Sequence, residues 1–131
     1  LTEIRTKKNP WTINSLAAIA GEIMFRDTDY INETRALISR ERKRMADALS
    51  SIPGAPAYKT YPAHANFVLV RILKEDLTSG FLFDTAIREK MMIRDCSTFP
   101  YLTEKYIRFC VMSPEMNDKL LDCLIAAAKK R

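Results

Sequence analysis

The sequence predicts an α+β domain: a small, mainly antiparallel sheet packed against helices. Three observations carry that prediction. Up to Ser50, apolar residues recur at helical spacing. From Ala57 to Val111 the pattern changes to short strand-like runs, interrupted once by a helical stretch. After Ser113 the helical spacing returns. Segregated helices and strands of this kind favour helices on one side of an antiparallel sheet over alternating βα units.

The elements follow in order. Thr12, after Pro10 and Trp11, is placed to cap a first helix in which Ile13, Leu16, Ala17, Ala20 and Met24 share a spacing. Asp27-Thr28-Asp29 restarts a helix. Ile31, Ile38, Met45 and Ile52 recur every seven residues, beside Thr34, Leu37 and Leu49, so one long amphipathic helix is expected over about 28–51, stopped by Pro53-Gly54. Ala57–Tyr61 reads as a short strand broken by Pro62. Asn66–Leu73 is apolar at both alternating sets of positions, which predicts a strand covered on both sides. Ser79–Lys90 reads as a helix, and Met91–Arg94 and Tyr106–Val111 as strands. Ser113 is the expected cap of the last helix, with Pro114 at its first position and Glu115 in its first turn. Leu120, Leu121, Leu124, Ile125 and Ala128 form its apolar stripe.

Composition narrows the function classes. The 131 residues suit one domain with a real core, and 47% hydrophobic with 28% charged residues is an ordinary soluble balance. No apolar run approaches the roughly 20 residues that span a bilayer. The opening LTEIRTKKNP is polar and has no signal-peptide pattern, so a cytoplasmic, membrane-free protein is expected. Cys96, Cys110 and Cys123 are widely spaced and His64 is the single histidine, which argues against a disulfide framework and against a metal site. Three glycines leave no phosphate-cradling loop. The net charge of +5 is concentrated in Arg40, Arg42, Lys43 and Arg44 and in the tail Lys129-Lys130-Arg131. A solvated helix face explains that run; a nucleic-acid footprint is the alternative.

Alternation along Tyr106–Val111 puts Ile107, Phe109 and Val111 on one face and Tyr106, Arg108 and Cys110 on the other. Arg108 then leaves the middle of a strand away from the apolar set, where its charge needs solvent or a partner. Arg94 ends the preceding strand, before the loop Asp95-Cys96-Ser97-Thr98. Were the two strands neighbours, both guanidiniums could meet one anionic ligand, since the arginine fork binds carboxylate or phosphate bidentately. Two surface ion pairs, with Asp95 or Glu104, are the competing explanation. Cys96 beside Arg94 is either an activated thiol or a structural one, and the Ser113-Pro114-Glu115 start is either an anion site or an ordinary cap.

Several segments together resemble one family. NPWTINSLAAIAG, YPAHANFVLVRI, MMIRDCSTFPYL and YIRFCVMSPEMNDKLLDCL are similar, in the right order, to the carboxyl-terminal part of fold-type-I, pyridoxal-phosphate-dependent aminotransferases of class I/II. The similarity is strongest to the group that holds histidinol-phosphate aminotransferases and threonine-phosphate decarboxylases. The resemblance implies that residues 1–131 are one carboxyl-terminal small domain. Within it, 1–12 links to a preceding segment, 13–52 form a helical pair and 57–131 hold the sheet with two helices.

The resemblance also implies roles. Arg108 matches the arginine that binds the substrate α-carboxylate, and Arg94 the arginine near the phosphate-bearing end. Asn66 matches a strand asparagine with no catalytic part. No serine/threonine-x-x-lysine segment of the family's Schiff-base type occurs, and Lys7 and Lys8 lie too close to Pro10-Trp11 to replace it. The expectations are therefore pyridoxal phosphate in the parent enzyme, none bound by this chain, no catalytic or cofactor-binding residue in it, and no activity of the chain alone. The expected partners are an amino acid phosphate, a large domain and a second subunit. The expected reaction is decarboxylation of threonine phosphate in cobalamin biosynthesis, with transamination of histidinol phosphate as the alternative. A basic nucleic-acid-binding or small-ligand module is the reading from another class; it requires aromatic and basic residues together on an open sheet face, and Phe67, Phe109 and Leu69 are expected in the core instead.

Overall fold

The computed structural model describes residues 12–53 and 56–129. Expectations for Lys7, Lys8, Pro10, Trp11, Gly54, Lys130 and Arg131 lie outside them. Helix α1 spans Ser15–Arg26 and α2 spans Thr28–Ser50; strands β1 (Tyr58–Thr60) and β2 (Phe67–Ile72) precede α3 (Ser79–Arg88), and β3 (Arg94–Asp95) and β4 (Tyr106–Cys110) precede α4 (Pro114–Lys129). The sheet has the order β1-β2-β4-β3, with every neighbouring pair antiparallel. The expected α+β class and element order are therefore observed.

The chain forms two units, Leu1–Arg35 and Ala36–Arg131. In the first, α1 is capped by Asn14, whose Oδ1 accepts the Ala17 amide at 2.8 Å. The cap falls two residues beyond the expected Thr12, because the Asn14 carboxamide reaches the third amide of the helix and residues 12–14 are not helical. No residue of α1 is buried: Leu16, Ile19, Ile23, Met24 and Phe25 are all exposed.

In the second unit one core joins the end of α2 (Met45, Leu49), the inward faces of the strands (Val68, Val70, Ile72, Ile107, Phe109), α3 (Leu82, Ala86) and α4 (Leu120, Leu121, Leu124). The register Val68↔Phe109 and Val70↔Ile107 puts all the inward β2 and β4 residues on the helix-covered side. Burying a core side chain of this size contributes about 1.5–3 kcal/mol. Tyr58 is buried with them, and its hydroxyl donates to the Leu124 carbonyl at 2.8 Å. Removing that phenol from water raises its pKa.

Two polar centres brace this core. Glu41 is 3% exposed and lies within the apolar stripe of α2. Arg44 Nη2 donates to its Oε2 at 2.7 Å and Arg44 Nε to its Oε1 at 3.2 Å, while Asn117 Nδ2 donates to Oε2 at 3.0 Å. Those bonds, Arg44 first and Asn117 next, outweigh burial and hold the Glu41 pKa below 4.5. Asn117 also donates to the Met112 carbonyl and accepts from the Met112 amide, at 3.0 and 2.9 Å. One carboxamide thus ties α2, the β4–α4 connection and α4 together. The second centre is Lys105, whose ammonium donates to the carbonyls of Lys74, Glu75 and Leu77 at 3.1, 2.7 and 2.8 Å. It closes the connection between β2 and α3.

Three local expectations change. Met91–Arg94 is not a strand; pairing begins only at Arg94, because the Met91 amide turns back to the Ala86 carbonyl and ends α3. The helix itself stops at Arg88, and Lys90 follows at φ 59°. Strand β2 is covered by helices on one face only: Phe67 and Leu69 are half-buried and Arg71 is exposed on the other.

Candidate functional site

The pairing of β3 with β4 sets Arg94 directly opposite Arg108. Side chains directly opposite in an antiparallel pair share a face and lie about 4.5–5.5 Å apart at Cβ, where like charges repel. The face is the one without helices, since Ile107 and Phe109, either side of Arg108, are buried at 0% and 2% exposure. The two arginines singled out from sequence are thus brought together, side by side.

Aromatic rings lie against both guanidiniums. The Arg108 guanidinium carbon lies 4.7 Å from the Phe67 ring centre and 6.0 Å from that of Phe99. Arg94 lies 5.2 Å from Phe99. Among the described residues neither arginine makes an ion pair, so the surface-pair explanation is not what the structure has. Asp95, the expected competitor, lines a cleft with both arginines but forms no ion pair with either. Its Oδ1 accepts the Ser79 hydroxyl and the Ser97 amide, each at 2.8 Å. Burial opposes its ionisation, but these donors and then Arg94 outweigh it and lower its pKa. That cleft, of about 660 Å³ at the β3 edge, is lined by Arg94, Arg108, Asp95, Thr98, Met92 and Cys110 among others. A smaller space of about 160 Å³ between Phe67, Leu69, Phe99 and Leu102 also meets Arg108. A third groove of about 470 Å³, lined by Phe81, Arg88, Lys119, Asp122 and Cys123, lies between α3 and α4 and carries both signs of charge.

Two other candidates resolve to structural roles. Cys96 is 2% exposed, and burial, outweighing the pull of Arg108 and Arg94, raises its thiol pKa, so it is a protonated core thiol. At the start of α4 the Glu115 carboxylate already accepts its own backbone amide and the Ser113 hydroxyl, which lower its pKa; the helix start is an ordinary cap.

Phe67 and Leu69 stand on the open face and not in the core, because Leu69 pairs with Arg108 and Phe67 with Cys110. Sequence alternation alone could not choose which apolar set of β2 faced the helices. Further along the same face Tyr61 stacks on Tyr106 at 6.4 Å, beside Lys59 and its cross-strand neighbour Arg71. The open face therefore meets the aromatic-and-basic requirement of the nucleic-acid alternative. The helical basic run does not add to it. Arg44 is held by Glu41 and Asp118, Lys43 pairs with Asp47 at 2.6 Å, and Arg42 donates to the Ala65 carbonyl at 2.8 Å.

Residues 3–124 match the model of the family described as aminotransferase class I and II. Threonine-phosphate decarboxylase of Salmonella typhimurium is 31% identical over 124 residues, which is 95% of this chain and 32% of that protein. Histidinol-phosphate aminotransferase of a Thermoanaerobacter species is 35% identical over 117 residues, 89% of this chain and 31% of that protein. The fold superposes on histidinol-phosphate aminotransferase from Clostridium acetobutylicum with a TM-score of 0.79 and 33% identity, covering 99% of this chain and 38% of that one. It superposes on L-threonine-O-3-phosphate decarboxylase from Porphyromonas gingivalis with a TM-score of 0.73 and 25% identity, over 98% of this chain and 38% of that one. The chain thus spans about a third of the length of the curated relatives it matches. Because that family model covers residues 3–124 and the fold matches as well, this chain belongs to the aminotransferase class I and II family.

Proposed function

We propose that this chain supplies the substrate-anion-binding part of a pyridoxal-phosphate enzyme acting on a phosphorylated amino acid, with decarboxylation of L-threonine O-3-phosphate as the reaction. One observation carries the reading: Arg94 and Arg108 stand directly opposite each other on the open face, and among the described residues neither is held in an ion pair. Placing two like charges in register costs stability. A ligand with two separated anionic groups repays that cost, and an amino acid phosphate has them. Arg108 takes the α-carboxylate through its fork and Arg94 the phosphate.

The cofactor would be held by another part of the parent. Among the described residues no lysine lines either space beside the two arginines, so their lining does not fit covalent attachment of pyridoxal phosphate. When bound, the cofactor supplies an electron sink for the bond that breaks at the substrate Cα. The contribution of this chain is orientation. By fixing carboxylate and phosphate at two points, Arg108 and Arg94 decide which Cα bond is presented for cleavage. The exposed apolar residues of α1, Leu16, Ile19, Ile23 and Phe25, are the surface against which the rest of the parent packs.

Transamination of histidinol phosphate is the second reading, supported by the similarity to the two histidinol-phosphate aminotransferases. An assay of the full-length protein decides between them. Release of CO2 from L-threonine O-3-phosphate, leaving 1-aminopropan-2-yl phosphate, is the expected result. Glutamate formed from histidinol phosphate and 2-oxoglutarate, without CO2 release, would overturn the decarboxylase reading and, because histidinol phosphate has no α-carboxylate, the assignment of Arg108 to one in that substrate. Turnover of neither, with salt-sensitive RNA binding in its place, would overturn both.

A further inference from the structure

Two adjacent guanidiniums that must stay charged, ordered and available pose a physical problem. A carboxylate would order them but would compete with the incoming anion. Solvent would leave them available but disordered, with the rotamer entropy of two long side chains still to be lost on binding. An aromatic ring avoids both. Its face attracts the cation, and a guanidinium stacked on it keeps its in-plane N–H groups free for a bidentate ligand.

Phe99 is placed to do this for both arginines at once. It sits in the connection between β3 and β4, where its amide donates to the Cys96 carbonyl at 3.0 Å and its carbonyl accepts the Leu102 amide at 3.1 Å. Two consecutive turns therefore fix its backbone. Tyr101, in the second of these turns, takes a φ of 67°, a conformation unusual for a side-chain-bearing residue. The loop is thus held in one shape over the open face. The ring reaches Arg94 at 5.2 Å and Arg108 at 6.0 Å, and Phe67 takes Arg108 at 4.7 Å. Phe99 is itself 37% exposed, so core packing does not explain a large aromatic at this position.

We infer that Phe99 is a positioning residue, which holds the Arg94 and Arg108 guanidiniums apart and in place without neutralising them and so sets the separation between the two anionic groups the site accepts. The inference rests on the proposed role of the two arginines as substrate ligands. It extends that role to specificity: a substrate whose anions are spaced differently would require the ring to move.

The experiment uses the full-length holoenzyme and O-phospho-L-threonine as the probe, with apparent affinity read as KM, apart from kcat, from initial rates of CO2 release in wild type, Phe99→Leu, Phe99→Tyr and Arg108→Ala. Phe99→Leu keeps an apolar side chain of similar bulk but removes the ring quadrupole. It should weaken binding about three- to tenfold, the effect of losing ring contacts to two cations. Phe99→Tyr should restore binding to within about twofold, because its ring also attracts cations. Thermal melting of all variants should be nearly the same, which a merely structural role for Phe99 would not give. Unchanged binding in Phe99→Leu, or Phe99→Tyr as weak as Phe99→Leu, with Arg108→Ala impaired, overturns the positioning role alone. Unchanged binding in Arg108→Ala as well overturns the underlying reading of the site.

Discussion

Replacing Asn117 by alanine removes a side chain that is 1% exposed and makes three hydrogen bonds at 2.9–3.0 Å, to Glu41 Oε2, the Met112 carbonyl and the Met112 amide. The three losses are unequal. Met112 is about half exposed, so water can reach its peptide groups once the carboxamide is gone. Glu41 is not accessible in that way. It keeps the two-point contact with Arg44 but loses a donor to a buried charge, which is worth about 1.5–3 kcal/mol. With the neutral bonds added at the low end of their range, Asn117→Ala should cost about 2–4 kcal/mol. That is a large share of the about 5–15 kcal/mol that holds a typical domain together. Urea denaturation followed by circular dichroism would read it as a lower midpoint at unchanged slope. Asn117→Asp should cost more at neutral pH, because it sets a second carboxylate against Glu41. A loss below about 1 kcal/mol for Asn117→Ala would refute the bracing role assigned to this residue.

Two further predictions concern the same unit. The Glu41 pKa is lowered by Arg44 and then Asn117 against the opposing effect of burial, so its stabilisation is fully present above its unfolded value near 4.5 and is lost as pH falls through the lower folded value. Glu41→Gln should therefore be less stable than wild type at pH 7 and should flatten the acid limb of a stability–pH curve; parallel acid limbs would contradict it. Lys90 is exposed and holds φ 59° behind α3, where glycine carries no Cβ penalty. Lys90→Gly should raise stability by about 0.5–1 kcal/mol in the same denaturation assay, and a decrease would contradict the strain assigned to that turn.

Periodicity made most of the fold legible. The seven-residue recurrence of Ile31, Ile38 and Met45 marks α2, and the alternation of Ile107 and Phe109 about Arg108 marks which way β4 faces. It worked less well where two local signals compete. In β2 both alternating sets are apolar, so only the register with β4 reveals that Val68 and Val70 face the helices while Phe67 and Leu69 face outward. At Met91–Ile93 the β propensity is real, but among the described residues no strand pairs with it.

The candidate arginines were legible because a charge in the middle of an apolar strand demands an explanation. Their exact opposition was not, since the loop from Cys96 to Lys105 could set several registers. Glu41 could have been found: it lies three residues after Ile38 and four before Met45, on the same helical stripe. Asn117 and Lys105 gave no such signal, because their partners are backbone groups or lie far along the chain. Phe99 was similarly hidden in a loop, where an aromatic has no period to read.

The central claim is that the open face grips two anionic groups through Arg94 and Arg108, and one kinetic comparison tests it most directly. The KM of the full-length holoenzyme for O-phospho-L-threonine should rise at least about tenfold in Arg108→Ala, and likewise in Arg94→Ala, since each variant removes one charge-assisted pair. L-threonine, which lacks the phosphate, should lose affinity in Arg108→Ala but hardly change in Arg94→Ala. An equal KM of wild type and both variants for the phosphorylated amino acid would contradict the account.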